Sequence, residues 1–139
     1  MMTNQSGFPD PTADMAMGHV TAERRYAMRR PLVYICSPYR GDIERNVERA
    51  KKYSRFAIKK HMTPIAPHLL FPQILGQDET PATREVSLFM GKQILRKCRE
   101  LWWFGLTPTE GMQEEIEYAD RYGVIIRHFT EKCKEVHGK

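Results

Sequence analysis

Residues 32–42 read LVYICSPYRGD. The first five, Leu32 to Cys36, form a short apolar run with no polar alternation. Such a run predicts a strand buried on both faces. Pro38 and Gly41 then break it. Asp42 is a good N-cap for a helix predicted over residues 43–60. Ile43, Val47, Ala50, Ser54, Ala57 and Ile58 recur there at helical spacing and predict its inner stripe. A buried strand passing through a polar loop into an amphipathic helix is the opening unit of an α/β sheet.

The same alternation continues downstream. MTPIAP (62–67) predicts a second short strand, weakened by its prolines. HLLFPQILGQDE (68–79) has no clear period and reads as an apolar loop. Thr80-Pro81 starts a second helix, with Thr80 as cap and Pro81 in the first helical position. Its buried face is expected at Val86, Phe89, Met90, Ile94 and Cys98. LWWFG (101–105) is a third strand. Its adjacent Trp102 and Trp103 face opposite sides and are read as packing residues. A third helix runs over about 111–121 and ends at Gly123, a natural C′ residue. VIIRHF (124–129) is a fourth strand, and Thr130 is expected to cap a short basic helix. The order β-α-β-α-β-α-β-α predicts a single α/β domain over 31–139. It is a parallel sheet with helices on both faces, a Rossmann- or flavodoxin-like three-layer sandwich.

Residues 1–30 differ in composition, opening with Ser, Asn, Gly, Pro and Asp before AERRYAMRR. They are expected to be a flexible tail ending in a helical turn. No apolar run is long enough to span a membrane, and the N-terminus lacks the apolar core of a signal peptide. A cytoplasmic location follows as the expectation. The three cysteines, Cys36, Cys98 and Cys133, include no CxxC pair, so no zinc site or redox pair is indicated. No paired histidine motif suggests a metal either. The net charge of +5 comes from RNVERAKK-like stretches mixed with acids, which describes a solvated helix face. Nucleic-acid binding is disfavoured, because no aromatics interleave with the basic residues. The charge equally suits a small phosphorylated ligand.

Ligands of such sheets bind at the carboxyl ends of the strands, beside the reversal in strand order. Two unusual segments leave strands there. In the first, Ser37, Pro38, Tyr39, Arg40 and Gly41 offer a hydroxyl, backbone N–H groups and a guanidinium to an anion. The same residues could equally be only a capped turn. They form neither a Walker loop nor a dinucleotide fingerprint. The second is TEGMQEEIEYA (109–119), with four acids between Glu110 and Glu117. Met112, Ile116 and Ala119 mark its buried stripe. Glu115 flanks that stripe, whereas Glu114 and Glu117 point further out. An acid early in a helix is favoured by the macrodipole with no further role. A carboxylate at the core's edge and a strand's carboxyl end is also where functional acids sit. His68, at the end of the second strand, is a packing residue or a proton donor.

VYICSPYRGD followed by GMQEEIEYA resembles the nucleoside 2-deoxyribosyltransferase-like superfamily over about residues 32–129, and most of all an uncharacterised bacterial and phage branch of it. The resemblance implies that Glu115 is the nucleophile, spaced four residues from both Gly111 and Ala119. It implies that Tyr34, Ser37 and Tyr39 orient that glutamate or hold the sugar. Ser37, Arg40 and Gly41 are similar to a loop that holds a 5′-phosphate in related hydrolases. Pro38, His68, Gly111 and Met112 complete the candidate substrate contacts. The implied chemistry is N-glycosidic cleavage or deoxyribosyl transfer through a covalent glutamyl sugar, without metal or cofactor. A homodimer or higher homo-oligomer is implied as well. The chain departs from the family pattern in having no acid between Glu85 and Glu100. Arg99 stands where an aspartate is common, and Glu110 precedes Gly111. Asp78 and Glu79 are candidate replacements. The alternatives are a nucleotide-binding module without turnover, or an assembly protein using the HLLFPQIL surface.

Overall fold

The computed structural model describes residues 21–76 and 80–137. The chain divides into two units, Met1–Arg30 and Pro31–Lys139. Of the first, the described part is a short helix, α1 (Ala22–Ala27), whose first turn is capped by the Thr21 hydroxyl accepting from the Arg24 N–H. The flexible tail expected before it lies outside the described residues, as do Asp78 and Glu79.

The second unit carries β1 (Leu32–Cys36), α2 (Ile43–Lys59), β2 (Thr63–Ile65), a 3₁₀ turn (Pro67–Leu69), α3 (Phe71–Leu75), α4 (Pro81–Leu95), β3 (Glu100–Phe104), α5 (Glu110–Arg121), β4 (Ile125–Phe129) and β5 (Glu135–Val136). The sheet order is β2-β1-β3-β4-β5. The first four strands are parallel, with Tyr34 opposite Ile65 on one side and Leu101 on the other. β2 is an edge, which is where Pro64 can sit without breaking an interior ladder.

Side-chain alternation along the strands builds two cores. Val33, Ile35, Trp102, Phe104 and Phe129 point to one face and meet Tyr53 and Ala57 of α2. The Tyr53 and Phe104 rings stack with centroids 4.1 Å apart. Tyr34, Cys36 and Leu101 point to the other face and meet Leu95 of α4 with Met112 and Ala119 of α5. Helices therefore cover both faces of a mostly parallel sheet, and the α/β three-layer architecture is present. Trp102 and Trp103 divide between the two faces.

Three local expectations are corrected. Thr130 starts no helix. Its hydroxyl accepts from the N–H groups of Lys132 and Lys134, and the chain turns back, with Cys133 at φ 62°, into antiparallel β5. Arg127 holds that edge by a two-pronged pair with Glu135, at 2.6 and 2.8 Å. The HLLFPQIL segment is not an irregular loop but the 3₁₀ turn and α3. The helix stripes are also rotated. In α2 the buried residues are Asn46, Ala50, Tyr53 and Ala57, while Ile43 is exposed. In α4, Gly91 and Leu95 are buried, and Val86 and Phe89 face outward. Among the described residues no helix is long and apolar enough to cross a membrane.

Candidate functional site

β1 lies between β2 and β3, so the chain reverses its direction across the sheet at the carboxyl end of β1. A pocket of about 310 Å³ opens there, large enough for a small-molecule ligand. It is lined from four directions. The loop after β1 gives Ser37, Pro38, Tyr39 and Arg40. The segment after β2 gives Pro67, His68, Phe71 and Pro72. α4 gives Arg84, Ser87 and Leu88, and the start of α5 gives Thr109, Glu110, Gly111, Met112 and Glu115. Tyr34 forms part of the floor.

Glu115 is held by two donors. The Tyr34 hydroxyl donates to its Oε2. The Cys36 thiol donates to its Oε1 at 3.4 Å. Both donors stand on the same face of β1, two residues apart, as strand periodicity requires. Helix α5 brings the acid to them because the Thr109 hydroxyl caps its first turn, accepting from the Met112 N–H at 3.2 Å. Burial pushes the Glu115 carboxyl above the ordinary range. The bonds from Tyr34 and Cys36 pull it back, Glu114 adds upward pressure, and Lys92 opposes it. Burial, followed by the nearby Glu115 charge, holds the Tyr34 hydroxyl and the Cys36 thiol well above their usual values. Both therefore stay protonated as donors, and the carboxyl oxygens accept.

A second polar pair stands at the other flank of the strand tip. Ser37 Oγ and His68 Nε2 are 3.0 Å apart. Ser37 is buried, and the Tyr39 ring approaches His68 edge-on at 6.3 Å. Burial lowers the His68 pKa to about 4, so its imidazole is neutral near pH 7.

Asn46 fixes the intervening loop from behind. Its Nδ2 donates to the carbonyls of Tyr39 at 3.1 Å and Arg40 at 2.8 Å. Asp42 caps α2 by accepting from the Arg45 N–H. Gly41 supplies the left-handed turn between them, at φ 96°, which a side chain would strain.

The structure brings together Tyr34, Ser37, Pro38, Tyr39, Arg40, His68, Gly111, Met112 and Glu115 around one pocket. Gly41 does not line it and acts through the backbone. The sequence reading missed Arg84, Ser87 and Leu88. Their signal was present: with Gly91 and Leu95 they form one stripe at helical spacing. The more hydrophobic Val86 and Phe89 beside it drew attention to the wrong face. Gly91 has a specific task, because a Cβ there would lie 3.1 Å from the Tyr34 hydroxyl oxygen. Among the described residues no three His, Cys, Asp or Glu side chains gather as a metal site.

The domain so built, pocket included, is matched over residues 31–129 by one family model. The chain belongs to the DUF7768 family, a domain of unknown function. The match spans β1 through β4 and so contains every pocket residue of this DUF7768 domain. It stops before the β5 hairpin, and the first unit precedes it. No curated protein matches the sequence.

Proposed function

We propose that this DUF7768 domain acts on the N-glycosidic bond of a nucleoside or nucleotide, by hydrolysis or deoxyribosyl transfer, with Glu115 as nucleophile. One observation carries the reading: a carboxyl group is held by Tyr34 and Cys36 at the floor of a pocket sized for a small ligand. Each donor holds one oxygen of the carboxyl group, so its orientation is fixed before a ligand arrives. As the C1′–N bond lengthens, the sugar acquires oxocarbenium character. A nearby carboxylate stabilises that charge and then forms a C1′–O bond. Tyr39, Phe71, Pro67 and Pro72 offer apolar surface for a planar base. The resemblance of SPYRGD and GMQEEIEYA to the nucleoside 2-deoxyribosyltransferase-like superfamily supports the same chemistry.

The test is direct. The protein is incubated with 2′-deoxynucleosides and their 5′-monophosphates, and free base is followed by chromatography. Release that disappears in Glu115→Gln supports the reading, and no release from any substrate overturns it. A second reading, a nucleotide-binding module without turnover, is favoured by the lack of any acid between Glu85 and Glu100, where the family pattern carries aspartates. It is supported by absent base release with thermal stabilisation by nucleotides that survives Glu115→Gln.

A further inference from the structure

A carboxylate nucleophile alone does not expel an ordinary nucleobase, because the departing nitrogen must gain a proton. The pocket contains a hydrogen-bonded pair suited to supply one. Tyr34 and Cys36 hold Glu115 on the α4/α5 side of β1. Alternation along the strand sends Ser37 to the opposite side. There it meets His68 at 3.0 Å, carried on the 3₁₀ turn that packs against α2. Both groups line the pocket that Glu115 lines. A ligand in the pocket thus lies between a carboxylate on one flank of the strand tip and a hydroxyl–imidazole pair on the other. Proton donor and nucleophile occupy such opposed positions around a glycosidic bond.

We infer that His68, hydrogen-bonded to Ser37, is the general acid for the departing base and the general base for the second step. This rests on the glycosidic reading above. In the first step the C1′–N bond breaks and its electron pair goes to the base nitrogen. That nitrogen takes a proton from the His68 imidazolium, directly or through the Ser37 hydroxyl, while a Glu115 oxygen bonds to C1′. In the second step water attacks C1′ and its proton returns to His68. The bond to Glu115 breaks and the carboxylate is restored. One proton shuttles and none is consumed. The charged and titratable groups that line the pocket with the pair are Tyr34, Tyr39, Arg40, Arg84, Glu110 and Glu115. Burial disfavours the imidazolium, which makes it a strong acid and a scarce one near neutral pH.

The experiment compares, in a single turnover with protein in excess so that the second step does not enter, 2′-deoxyguanosine with 7-methyl-2′-deoxyguanosine, whose cationic base departs without a proton. In full-length His68→Gln and Ser37→Ala, release from 2′-deoxyguanosine is expected to fall about 100-fold or more for His68→Gln and less for Ser37→Ala. Release from the methylated substrate is expected to stay within about 3-fold of wild type. The wild-type rate on 2′-deoxyguanosine, relative to the methylated substrate, should decline from about pH 5 to about pH 6.5, where the methylated base keeps its N1 proton and its charge, and be flat in His68→Gln. Equal losses on both substrates in a variant with an unchanged melting curve overturn the assignment, as does no loss on either. Should His68→Gln fail to fold, the same comparison in Ser37→Ala decides, an equal effect on both substrates again overturning it. Failure of the glycosidic reading itself looks different: the wild type then releases neither base.

Discussion

The hydroxyl of Tyr34 donates to the carboxyl of Glu115 across 81 residues of sequence. This one bond joins the first strand of the sheet to the last helix of the parallel layer. It also sets the charge of the pocket floor. Tyr34→Phe removes a donor that favours the carboxylate, so the Glu115 pKa should rise further. Carboxyl ¹³C shifts followed against pH should show the Glu115 inflexion at higher pH than in wild type. A hydrogen bond to a charged acceptor is worth about 1.5–3 kcal/mol, and a stability loss of that order at neutral pH should accompany the shift.

Glu115 itself should cost stability where it is charged. Its folded pKa is raised, so the folded state binds more protons than the unfolded chain between the two pKa values. Stability from this group is therefore full below the unfolded value and declines as pH rises toward the folded one. Glu115→Gln should melt at or above the wild-type temperature near pH 7. The difference should shrink on acidification below the ordinary carboxylate range. A variant that melts well below wild type at neutral pH would show instead that the carboxylate is structurally required.

His68 has the opposite sign. Its folded pKa of about 4 lies below the ordinary value of 6.5, so the unfolded chain binds more protons between them. The stability it contributes is present above about pH 6.5 and is lost as pH falls toward 4, by at most about 3 kcal/mol. Chemical denaturation should show the stability difference between wild type and His68→Gln changing by that amount across this window, the opposing Glu115 contribution being common to both.

Asn46 never touches the pocket, yet it should control ligand affinity. Its amide is buried and serves the carbonyls of Tyr39 and Arg40. Asn46→Ala leaves both without that partner, at about 1–3 kcal/mol of stability. Thermal shift with a nucleotide should show a smaller stabilisation than in wild type, although every pocket side chain is retained.

The stacked pair on the far face offers a control. Phe104→Ala removes a ring packed on Tyr53 in a closed core and should cost about 3–5 kcal/mol by denaturant unfolding. Measured at a temperature where the variant is folded, nucleotide affinity should change little.

Much of this fold is readable from pattern. LVYIC, LWWFG and VIIRHF are short, apolar and bounded by turn residues, so their strand character is local. Asp42, Thr80 and Gly123 mark helix ends by backbone chemistry that does not depend on tertiary context. The errors arose where tertiary context decides. Val86 and Phe89 look buried by hydrophobicity, but α4 turns its Arg84-Ser87-Leu88 edge to a pocket, and Gly91 makes room for Tyr34. Tyr53, absent from the stripe expected for α2, is buried because Phe104 stacks on it. Asn46 reads as solvated until the loop carbonyls are seen. Glu115 was legible as a candidate because of its place beside Met112 and Ile116. Of its donors, Tyr34 was a candidate only through the resemblance and Cys36 was not one, because nothing in the local sequence pairs residue 115 with residues 34 and 36.

Gly91 gives that arrangement a mechanical side. The space left by its absent side chain is where the Tyr34 hydroxyl sits, 3.1 Å from a hypothetical Cβ. The same helix presents Arg84 and Ser87 to the pocket. One rod thus carries both the side chains a ligand would touch and the gap in which the pocket's tyrosine hydroxyl is seated.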